Sequence, residues 1–510
     1  MAFLKYKVRA ALCAAFAVFG LVLPAHAQDV TLTFPDGSLA VSGPLVGFDG
    51  TAYRVDTRFG VLTIAADQVE CEGDCPDADF APLIRMAGVP ALTEILMPAL
   101  VDAFALSLGL RTIPEPVETP DSLRLALIGG EGQVLARYEI STGTSADAFE
   151  RLSAQKLEIA LTDREATGEE RNAALAAGIG DLDDPLRRRL VARRVLRIHV
   201  PRESPVAEIT VGAMQRWLSS GPTEGLPEAA IAAENLGLLQ SALGDLNGFF
   251  EGADDPSLPV EVVEDREELA ELLLGPSTAI ITHEPVLTGR ALELSHGCTP
   301  GSATNAEGEA HPLKGHLWAY TGAARLPDLG RAFLAFLKTA EAQRVVSRAG
   351  FIDGRPRGVT LDDQGRRLAA AVAAVDGSKE LTALQETLGR LEGHERLTAS
   401  LRFSREGGAL TPKSRNVAQS LAAALDSGRF DGREVLFVGL TGRSTGSPDD
   451  TAQAGAALGA VRDMMITRPD RVVMAALDAG SVFPLDCDQG PWSDYVNRRV
   501  EIWVGPEIPG

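Results

Sequence analysis

Positive charge is scarce in this chain of 510 residues. Lysine and arginine together number 48 against 70 aspartates and glutamates, so the formal net charge at pH 7 is -22. Such an acidic chain repels the phosphates of nucleic acids and anionic lipid headgroups, and neither is expected as a general partner. A single anion at a local site remains compatible with this charge, because backbone N–H groups and a helix terminus can hold it.

The motifs of common enzyme and metal sites are missing as well. The seven histidines form no H-E-x-x-H pair, and the chain has neither a G-x-S-x-G nucleophile turn nor a P-loop. His311 and His316 lie in "HPLKGH" without an acidic ligand at metal spacing. The sequence therefore predicts a non-enzymatic protein without a cofactor or a metal ion.

Long apolar runs are absent after the N-terminus. There, a basic start precedes the apolar stretch 10–23, and "AHA" follows before Gln28. This order is typical of a secretory signal peptide over residues 1–27, with a retained membrane anchor as the alternative. No later stretch is long and apolar enough to cross a bilayer, so the mature chain is expected to be soluble and periplasmic, with no transmembrane segment.

Cysteine is sparse, and four cysteines remain after cleavage: Cys71, Cys75, Cys298 and Cys487. In an oxidising compartment an even number permits two disulfides. The short spacing predicts a Cys71–Cys75 disulfide, and Cys298–Cys487 would then be the second. A C-x3-C pair without a second pair or a nearby histidine is poor for zinc.

Four regions follow the signal peptide. Short apolar or alternating runs separated by "PDG" and "FDG" turns predict a small β module over residues 28–80. Strands alternate with helical patterns over 81–354, which predicts two α/β lobes with mainly parallel sheets. Residues 355–396 carry apolar residues at helical spacing and predict a helical connector, with a coiled-coil dimerisation segment as the alternative. Residues 397–508 predict a separate α+β domain, in which Thr411 caps a helix before Pro412.

Four segments of the α/β region stand in an order that is typical of one family. They are "LEIALTDREAT", "IHVPRESPVAEITVGAMQRWLSSG", "NAEGEAHPLKGHLWAYTG" and "LGRAFLAFLKTAEAQRVVSRAGFID". With these segments the region resembles the phosphate-type periplasmic substrate-binding proteins of ABC transporters. The resemblance implies a two-lobed type II periplasmic-binding-protein fold with a hinged cleft and a small anionic ligand, phosphate or another oxyanion.

The same resemblance indicates where a ligand would bind. The family holds its anion with backbone N–H groups at helix starts and with Ser/Thr hydroxyls. The matching positions here are the loop that begins at Gly88, in which Pro90 removes one N–H donor, and the triplet Thr162, Asp163 and Arg164. Asp163 would accept a proton from a monohydrogen anion or repel a dianion. The alternative is that the triplet forms a loop turn and a surface ion pair.

The last region carries "LRFSREGGALTPKSRNVAQSLAAAL" and "PLDCDQGPWSDYVNRRVEIWV". It thereby resembles the OmpA-like peptidoglycan-associating domain, whose aspartate and arginine bind the ammonium and the carboxylate of diaminopimelate. Here Thr441 and Gly442 stand at the position of the acid and Ala457 at that of the arginine, so both charged contacts are missing. Arg498 belongs to the closing "NRRVE" motif. As an alternative to wall binding, the two arginines of this motif would pack at the end of the strand and form salt bridges.

These features predict an exported periplasmic binding protein for a small ligand, associated with the outer membrane or cell wall through its C-terminal domain. The alternative is a structural or interaction protein of the envelope that binds no ligand. The expected partners are a small anion, peptidoglycan or envelope proteins. The natural chain is expected to bind peptidoglycan weakly or not at all, and a Gly442→Asp plus Ala457→Arg variant is expected to gain binding.

Overall fold

The structure is a computed structural model, and it describes residues 29–507 apart from a set of short gaps. The gaps are residues 38, 77–80, 118, 120, 223–225, 248–257, 265, 273–276, 284–288, 296–310, 323–325, 355, 405–408, 443–451, 468–471 and 488–489. The chain divides into two compact units, Met1–Phe80 and Ala81–Gly510.

The first unit is an antiparallel β module. Its strands are β1 Asp29–Thr33, β2 Ala40–Phe48, β3 Ala52–Thr57, β4 Gly60–Ala65 and β5 Glu70–Gly73. They pair in the order β4-β3-β2-β1-β5, and alternate residues such as Val30, Leu32 and Val55 form a small apolar core. The "FDG" turn closes because the Asp49 carboxylate accepts hydrogen bonds from the backbone N–H groups of Thr51 and Ala52.

The second unit begins with an α/β lobe. Its elements are β6 Leu83–Gly88, a π-helical turn Ala91–Leu96, α1 Met97–Ser107, β7 Arg111–Glu115, β8 Ser122–Ile128, β9 Val134–Thr142, α2 Ser145–Ser153, β10 Ile159–Thr162, α3 Gly168–Ala176 and β11 Arg188–Val195. The later elements β19 Lys314–Thr321, α7 Asp328–Phe336 and α8 Ala340–Arg348 return to it. The sheet order is β11-β19-β10-β6-β9-β8-β7, with β6 parallel to both β9 and β10.

A second lobe is inserted between β11 and β19. Its elements are β12 Arg197–Pro201, β13 Glu208–Thr210, α4 Val211–Ser220, β14 Glu228–Ala232, α5 Ala233–Asn247, β15 Val260–Val263, α6 Arg266–Leu272, β16 Thr278–Thr282, β17 Gly289–Ala291 and β18 Glu293–Ser295. Its main sheet has the order β15-β14-β16-β12-β17. The predicted α/β class with two lobes, preceded by a small β module, is confirmed. The prediction of mainly parallel sheets is wrong, because β19 and β8 in the first lobe and β12 in the second pair antiparallel with their neighbours.

The two lobes share one apolar core. Its buried side chains include Phe333 from the first lobe and Trp217 and Leu238 from the second. Contact is tight where α5 crosses β19, since a Cβ atom on Gly315 would lie 1.9 Å from Leu238 Cδ1. The start of α5 is therefore held against the first lobe.

The C-terminal part is built on another sheet. Its elements are β20 Gly358–Val359, α9 Gly365–Ala373, α10 Ser378–Leu391, β21 Glu395–Leu401, α11 Pro412–Asp426, β22 Arg433–Leu440, α12 Gln453–Met464, β23 Val473–Gly480, α13 Pro491–Asn497 and β24 Arg499–Glu507. The strand order is β20-β21-β24-β22-β23. The predicted N-cap of α11 is confirmed, because the Thr411 hydroxyl accepts a hydrogen bond from the N–H of Ser414.

Helices cover both faces of this sheet. Side chains of α11 and α12, such as Leu421 and Val461, pack with Phe437 on one face. The helices of the predicted connector, α9 and α10, cover the other face, where Leu384 packs with Leu436 and Trp503. These helices are therefore a packed layer of the C-terminal fold and not an isolated linker.

Candidate functional site

Three neighbouring parallel strands of the first lobe end at the same edge of their sheet. In the register of β9, β6 and β10, Thr142 lies beside Gly88, and Gly88 lies beside Leu161. The loops that leave these strands therefore meet, which places Gly88 near the loop 162–164. Ligands of open α/β folds bind at this carboxyl edge.

Gly88 is required by packing at this edge. A Cβ atom at this position would lie 1.7 Å from the carbonyl oxygen of Leu161 on β10. The adjacent backbone is also engaged, since Val89 N–H donates to the Leu161 oxygen at 3.0 Å and Gly143 N–H donates to the Gly88 oxygen at 2.7 Å. The glycine thus permits a close approach of two strands.

Thr162 and Arg164 are engaged with partners inside the protein. The fully buried Thr162 hydroxyl donates to the carbonyl oxygen of Arg164 at 2.9 Å. The Arg164 guanidinium forms two hydrogen bonds of 2.7 Å with the Glu170 carboxylate and lies over the Phe149 ring. The hydrogen bond to Glu170 raises the pKa of Arg164. Since Glu170 also closes the capping box of α3 with Thr167, this pair is part of the helix start.

Asp163 is buried, and its carboxylate lies at the start of α2. The Ser145 hydroxyl donates to Asp163 Oδ1 at 2.7 Å and accepts from the Asp163 N–H at 3.1 Å. Ser145 is the first residue of α2, which Thr144 caps. Burial raises the pKa of Asp163, and the hydrogen bond from Ser145 opposes that shift. A carboxylate near a helix N-terminus is stabilised by the helix dipole.

The second lobe closes over the other oxygen of this carboxylate. A Cβ atom added to Gly237, in the second turn of α5, would lie 2.4 Å from Asp163 Oδ2. Any larger residue at position 237 would therefore displace the carboxylate. The Asp163 side chain fills the space between the carboxyl edge of the first lobe and helix α5 of the second.

In this arrangement the predicted ligand-binding residues contact one another and their neighbours, and their binding of an external oxyanion stays a prediction. The predicted hydroxyl and guanidinium donors are used internally, and an incoming dianion would meet the Asp163 carboxylate. Without a compensating cation, such a pair of buried negative charges is strongly unfavourable.

Sequence reasoning missed Ser145, Glu170 and Gly237. Glu170 had a signal in the sequence, because "TGEE" fits the S/T-x-x-E capping box. Ser145 and Gly237 had none, since they reach Asp163 only through the fold.

The residues with a predicted role in wall binding lie at the ends of β22 and α13 and on α12, where the pairing of Leu440 with Arg499 brings the end of β22 beside Arg498. Thr441 N–H donates to the Gly480 carbonyl at 2.9 Å. Ala457 is fully buried in the apolar core beside α11. Arg498 donates from Nη2 to the side-chain oxygen of Gln453 at 3.0 Å when that amide is oriented with its oxygen toward the guanidinium.

The space beside Gly442 is filled from another helix. A Cβ atom on Gly442 would lie 2.5 Å from Oδ1 of Asp494 and 3.1 Å from its Cα. Asp494 belongs to α13, and Arg498 follows it one turn later at the C-terminal end of that helix. The carboxylate that Gly442 lacks is thus supplied at nearly the same place by Asp494.

The rest of the "NRRVE" motif is structural. Asn497 accepts hydrogen bonds from the N–H groups of Leu485 and Asp486 and donates to the Asp486 carbonyl at 2.6 Å. Arg499 and Glu501 form a buried ion pair of 2.7 Å, and Arg367 of α9 joins it at 2.6 Å.

Burial and charge act in opposite directions within this ion pair. Burial lowers the pKa of Arg499 to about 9. Burial alone would raise the pKa of Glu501, but Arg367 and Arg499 hold it well below its usual range. Both side chains of the pair therefore stay charged at neutral pH.

The predicted Cys71–Cys75 disulfide is present. Cys487 is disulfide-bonded too, while its predicted partner Cys298 lies outside the described residues. Within the described ranges, no cluster of three or more His, Cys, Asp or Glu side chains is arranged to hold a metal ion. No helix in those ranges combines the length and apolar character needed to cross a membrane.

No protein-family model matches this chain, and no curated protein matches it. Among solved structures, it is similar to an ABC-type phosphate transport receptor from Vibrio cholerae, with a TM-score of 0.38 and 15% identity over 53% of this chain and 99% of that chain. It is also similar to PstS from Borrelia burgdorferi, with a TM-score of 0.34 and 15% identity over 53% of this chain and 98% of that one.

A third similar structure is the effector binding domain of a BenM variant, with a TM-score of 0.30 and 10% identity over 53% of this chain and 97% of that chain. Likenesses at these identities concern the path of the chain and not its ligand. The resemblance of residues 397–508 to OmpA-like domains stays a prediction.

Proposed function

We propose that this chain is an exported, non-enzymatic protein of the bacterial periplasm and envelope, in which a binding-protein fold serves as an interaction body. Of the two functions that the sequence leaves open, the one without a small anionic ligand fits the candidate site better. The proposal rests on one observation: the Asp163 carboxylate lies between the Ser145 hydroxyl and Gly237.

The contacts of the neighbouring residues also favour a function without a small anionic ligand. Charge-assisted hydrogen bonds to a guanidinium are strong, so an incoming anion would have to compete with the groups that already hold it. Here Arg164 is paired with Glu170, Thr162 with a backbone carbonyl, and Leu238 packs on Gly315 where the lobes meet. A hinge opening would expose this apolar contact and separate α5 from Asp163, so the closed state is favoured without a ligand.

Calorimetry with phosphate and sulfate tests this function on the full mature chain at neutral pH. We expect no heat beyond dilution and an unchanged radius of gyration in small-angle scattering. Binding with a dissociation constant near 1 μM, which corresponds to about 8 kcal/mol, would overturn the proposal. Loss of that binding in Arg164→Met would then identify the chain as an anion receptor.

Attachment to the cell wall through the C-terminal domain is a second candidate function. It is favoured by Asp494, whose carboxylate fills the place of the missing Gly442 side chain. Co-sedimentation with purified peptidoglycan would decide it. If this mode operates, Asp494→Asn should reduce the bound fraction at least tenfold, while Asp463→Asn, an exposed acid on α12, should leave it unchanged. Equal binding by both variants would rule out Asp494 as the recognition group.

A further inference from the structure

Strand β4 forms one edge of the sheet in the N-terminal β module. Among the described residues it pairs with β3 alone, and its sequence GVLTIA contains neither a charge nor a proline. Soluble proteins normally protect such an edge with lysine, proline or a bulge, because its unpaired backbone groups can pair with another strand. Large apolar side chains are exposed here, with Phe59 78%, Val61 47% and Leu62 38% accessible. The edge at β4 is therefore apolar and lacks these protective features.

The hydrogen bonds to β3 show which backbone groups of β4 face outward. The Ala66 N–H donates to the Thr51 oxygen at 2.8 Å, in continuation of the β3–β4 ladder. Antiparallel residues turn their backbone groups alternately toward one neighbouring strand and toward the other. The N–H and C=O groups of Val61, Thr63 and Ala65 consequently point to the outer edge, where a further strand could pair with them.

The apolar core of the module is small and reaches this edge. Within the described residues, its buried apolar side chains are Val30, Leu32, Val41 and Val55. A module of this size buries little apolar surface and is only marginally stable alone. Ile64 packs against the core, and Leu62 lies on the same side of the sheet because it stands opposite Val55. A strand added at β4 would therefore enlarge the core as well as the sheet.

We propose that β4 is a dimerisation edge, at which a second copy of this chain pairs antiparallel with its own β4 about a two-fold axis at Thr63. In this register Thr63 stands opposite itself and Val61 opposite Ala65 of the second copy, so the outward backbone groups of all three residues gain partners. Leu62 then lies against Ile64 of the second copy and extends the apolar core across the axis. This inference concerns the first unit and holds whether or not the cleft binds an anion.

The charges beside β4 favour an antiparallel partner of the same sequence. Arg58 precedes the strand and Asp67 follows it, and both are exposed. An antiparallel second copy brings its Asp67 to the end at which Arg58 lies, whereas a parallel copy would bring like charges together. The strand itself is uncharged, so the net charge of -22 is not concentrated at the edge. The edge is thus complementary to itself in charge as well as in hydrogen bonding.

Sedimentation equilibrium of the full mature chain tests the dimer. We expect a monomer–dimer equilibrium in which dimers dominate at about 100 μM protein, as for a small interface with a micromolar dissociation constant. Thr63→Lys would place two ammonium groups across the axis and should raise the dissociation constant about tenfold or more. Val46→Lys is the matched control, because Val46 is 49% exposed on the interior strand β2, and it should leave dimerisation unchanged. A monomeric unmodified chain at this concentration, or equal behaviour of the two variants, would overturn the inference.

Cysteine pairing tests the register. In Thr63→Cys the two new thiols lie opposite each other, across a Cα distance of about 5.5 Å, which suits a disulfide. In the control Val61→Cys the two thiols are offset by four residues, about 13 Å along the strands. Mild oxidation should therefore link two chains of Thr63→Cys and leave Val61→Cys unlinked in non-reducing electrophoresis. Any other pattern of linkage would refute the self-pairing of β4.

Discussion

The buried charges around Glu501 give the sharpest test of how the C-terminal fold is stabilised. Glu501 is 1% exposed and lies within 2.7 Å of the Arg499 guanidinium and 2.6 Å of that of Arg367. Its other oxygen accepts a hydrogen bond from Trp503 Nε1 at 3.2 Å. Glu501→Gln keeps the shape and removes the charge, which leaves the buried guanidinium of Arg499 without its counter-ion.

The loss of stability expected for Glu501→Gln follows from the burial of its ion pair. Breaking a buried ion pair from one side costs about 3–5 kcal/mol, a large part of the ~5–15 kcal/mol that stabilises a typical domain. Exposed pairs contribute about 0–1 kcal/mol. The partly exposed contact between Glu395 and Arg433, at 3.9 Å, serves as the matched control.

Urea unfolding of the full chain, followed by tryptophan fluorescence, measures the difference. We expect Glu501→Gln to lower the unfolding free energy of the transition that reports on Trp503 by about 3 kcal/mol or more. Glu395→Gln should change it by less than about 0.5 kcal/mol. If both variants lost the same small amount, the claim that Glu501 neutralises a buried cation would be refuted.

Three further predictions concern single side chains. Because Ala457 is buried, Ala457→Arg should lower the unfolding free energy by about 3 kcal/mol or more in urea unfolding and create no wall-binding site. The control variant Ala456→Arg, on the exposed face of α12, should leave the unfolding free energy nearly unchanged. His199 is 95% buried with neither ring nitrogen hydrogen-bonded among the described residues, and burial lowers its pKa below 6.5. The neutral His199 side chain therefore contributes its full stabilisation above pH 6.5, and this contribution is lost as the pH falls toward the folded-state pKa. Between pH 7 and pH 5, the His199→Leu variant should consequently lose less unfolding free energy than the unmodified chain. The pKa of Asp163 is raised above 3.8, so the folded state takes up this proton first, and the stability of the unmodified chain relative to Asp163→Asn should increase as the pH falls from 7 toward 4.

Local sequence patterns predicted most of the elements, because their causes are local. Thr411 before Pro412 predicted the start of α11. The glycine-rich stretch 129–133 lies at the turn between β8 and β9, which pair as a hairpin. The helix α13 had a weaker signal, with Pro491 at its first position after Gly490. These signals depend on a few neighbouring residues and do not depend on the tertiary structure.

The roles of single side chains were less predictable, since they depend on which segment, distant in the sequence, packs against them in the fold. The apolar spacing of Ala454, Ala457 and Val461 indicates a buried stripe of α12, so the sequence did hold a sign that Ala457 faces the core. Nothing in the sequence signals that Gly237 meets Asp163. That contact follows from the way the second lobe lies against the first.

The two candidate sites share one physical feature. At each, a glycine leaves room and a carboxylate from another segment enters it: Asp163 against Gly237, and Asp494 against Gly442. A buried polar group without a partner costs about 1–3 kcal/mol, so a fold that no longer receives an external ligand retains its shape only if internal groups satisfy the donors that remain. At the first site the satisfied donor is the Ser145 hydroxyl, and its acceptor belongs to the chain itself. A fold can therefore be kept while its binding residues change. At each of these two places, the contacts of the internal carboxylate decide which ligand the site can bind.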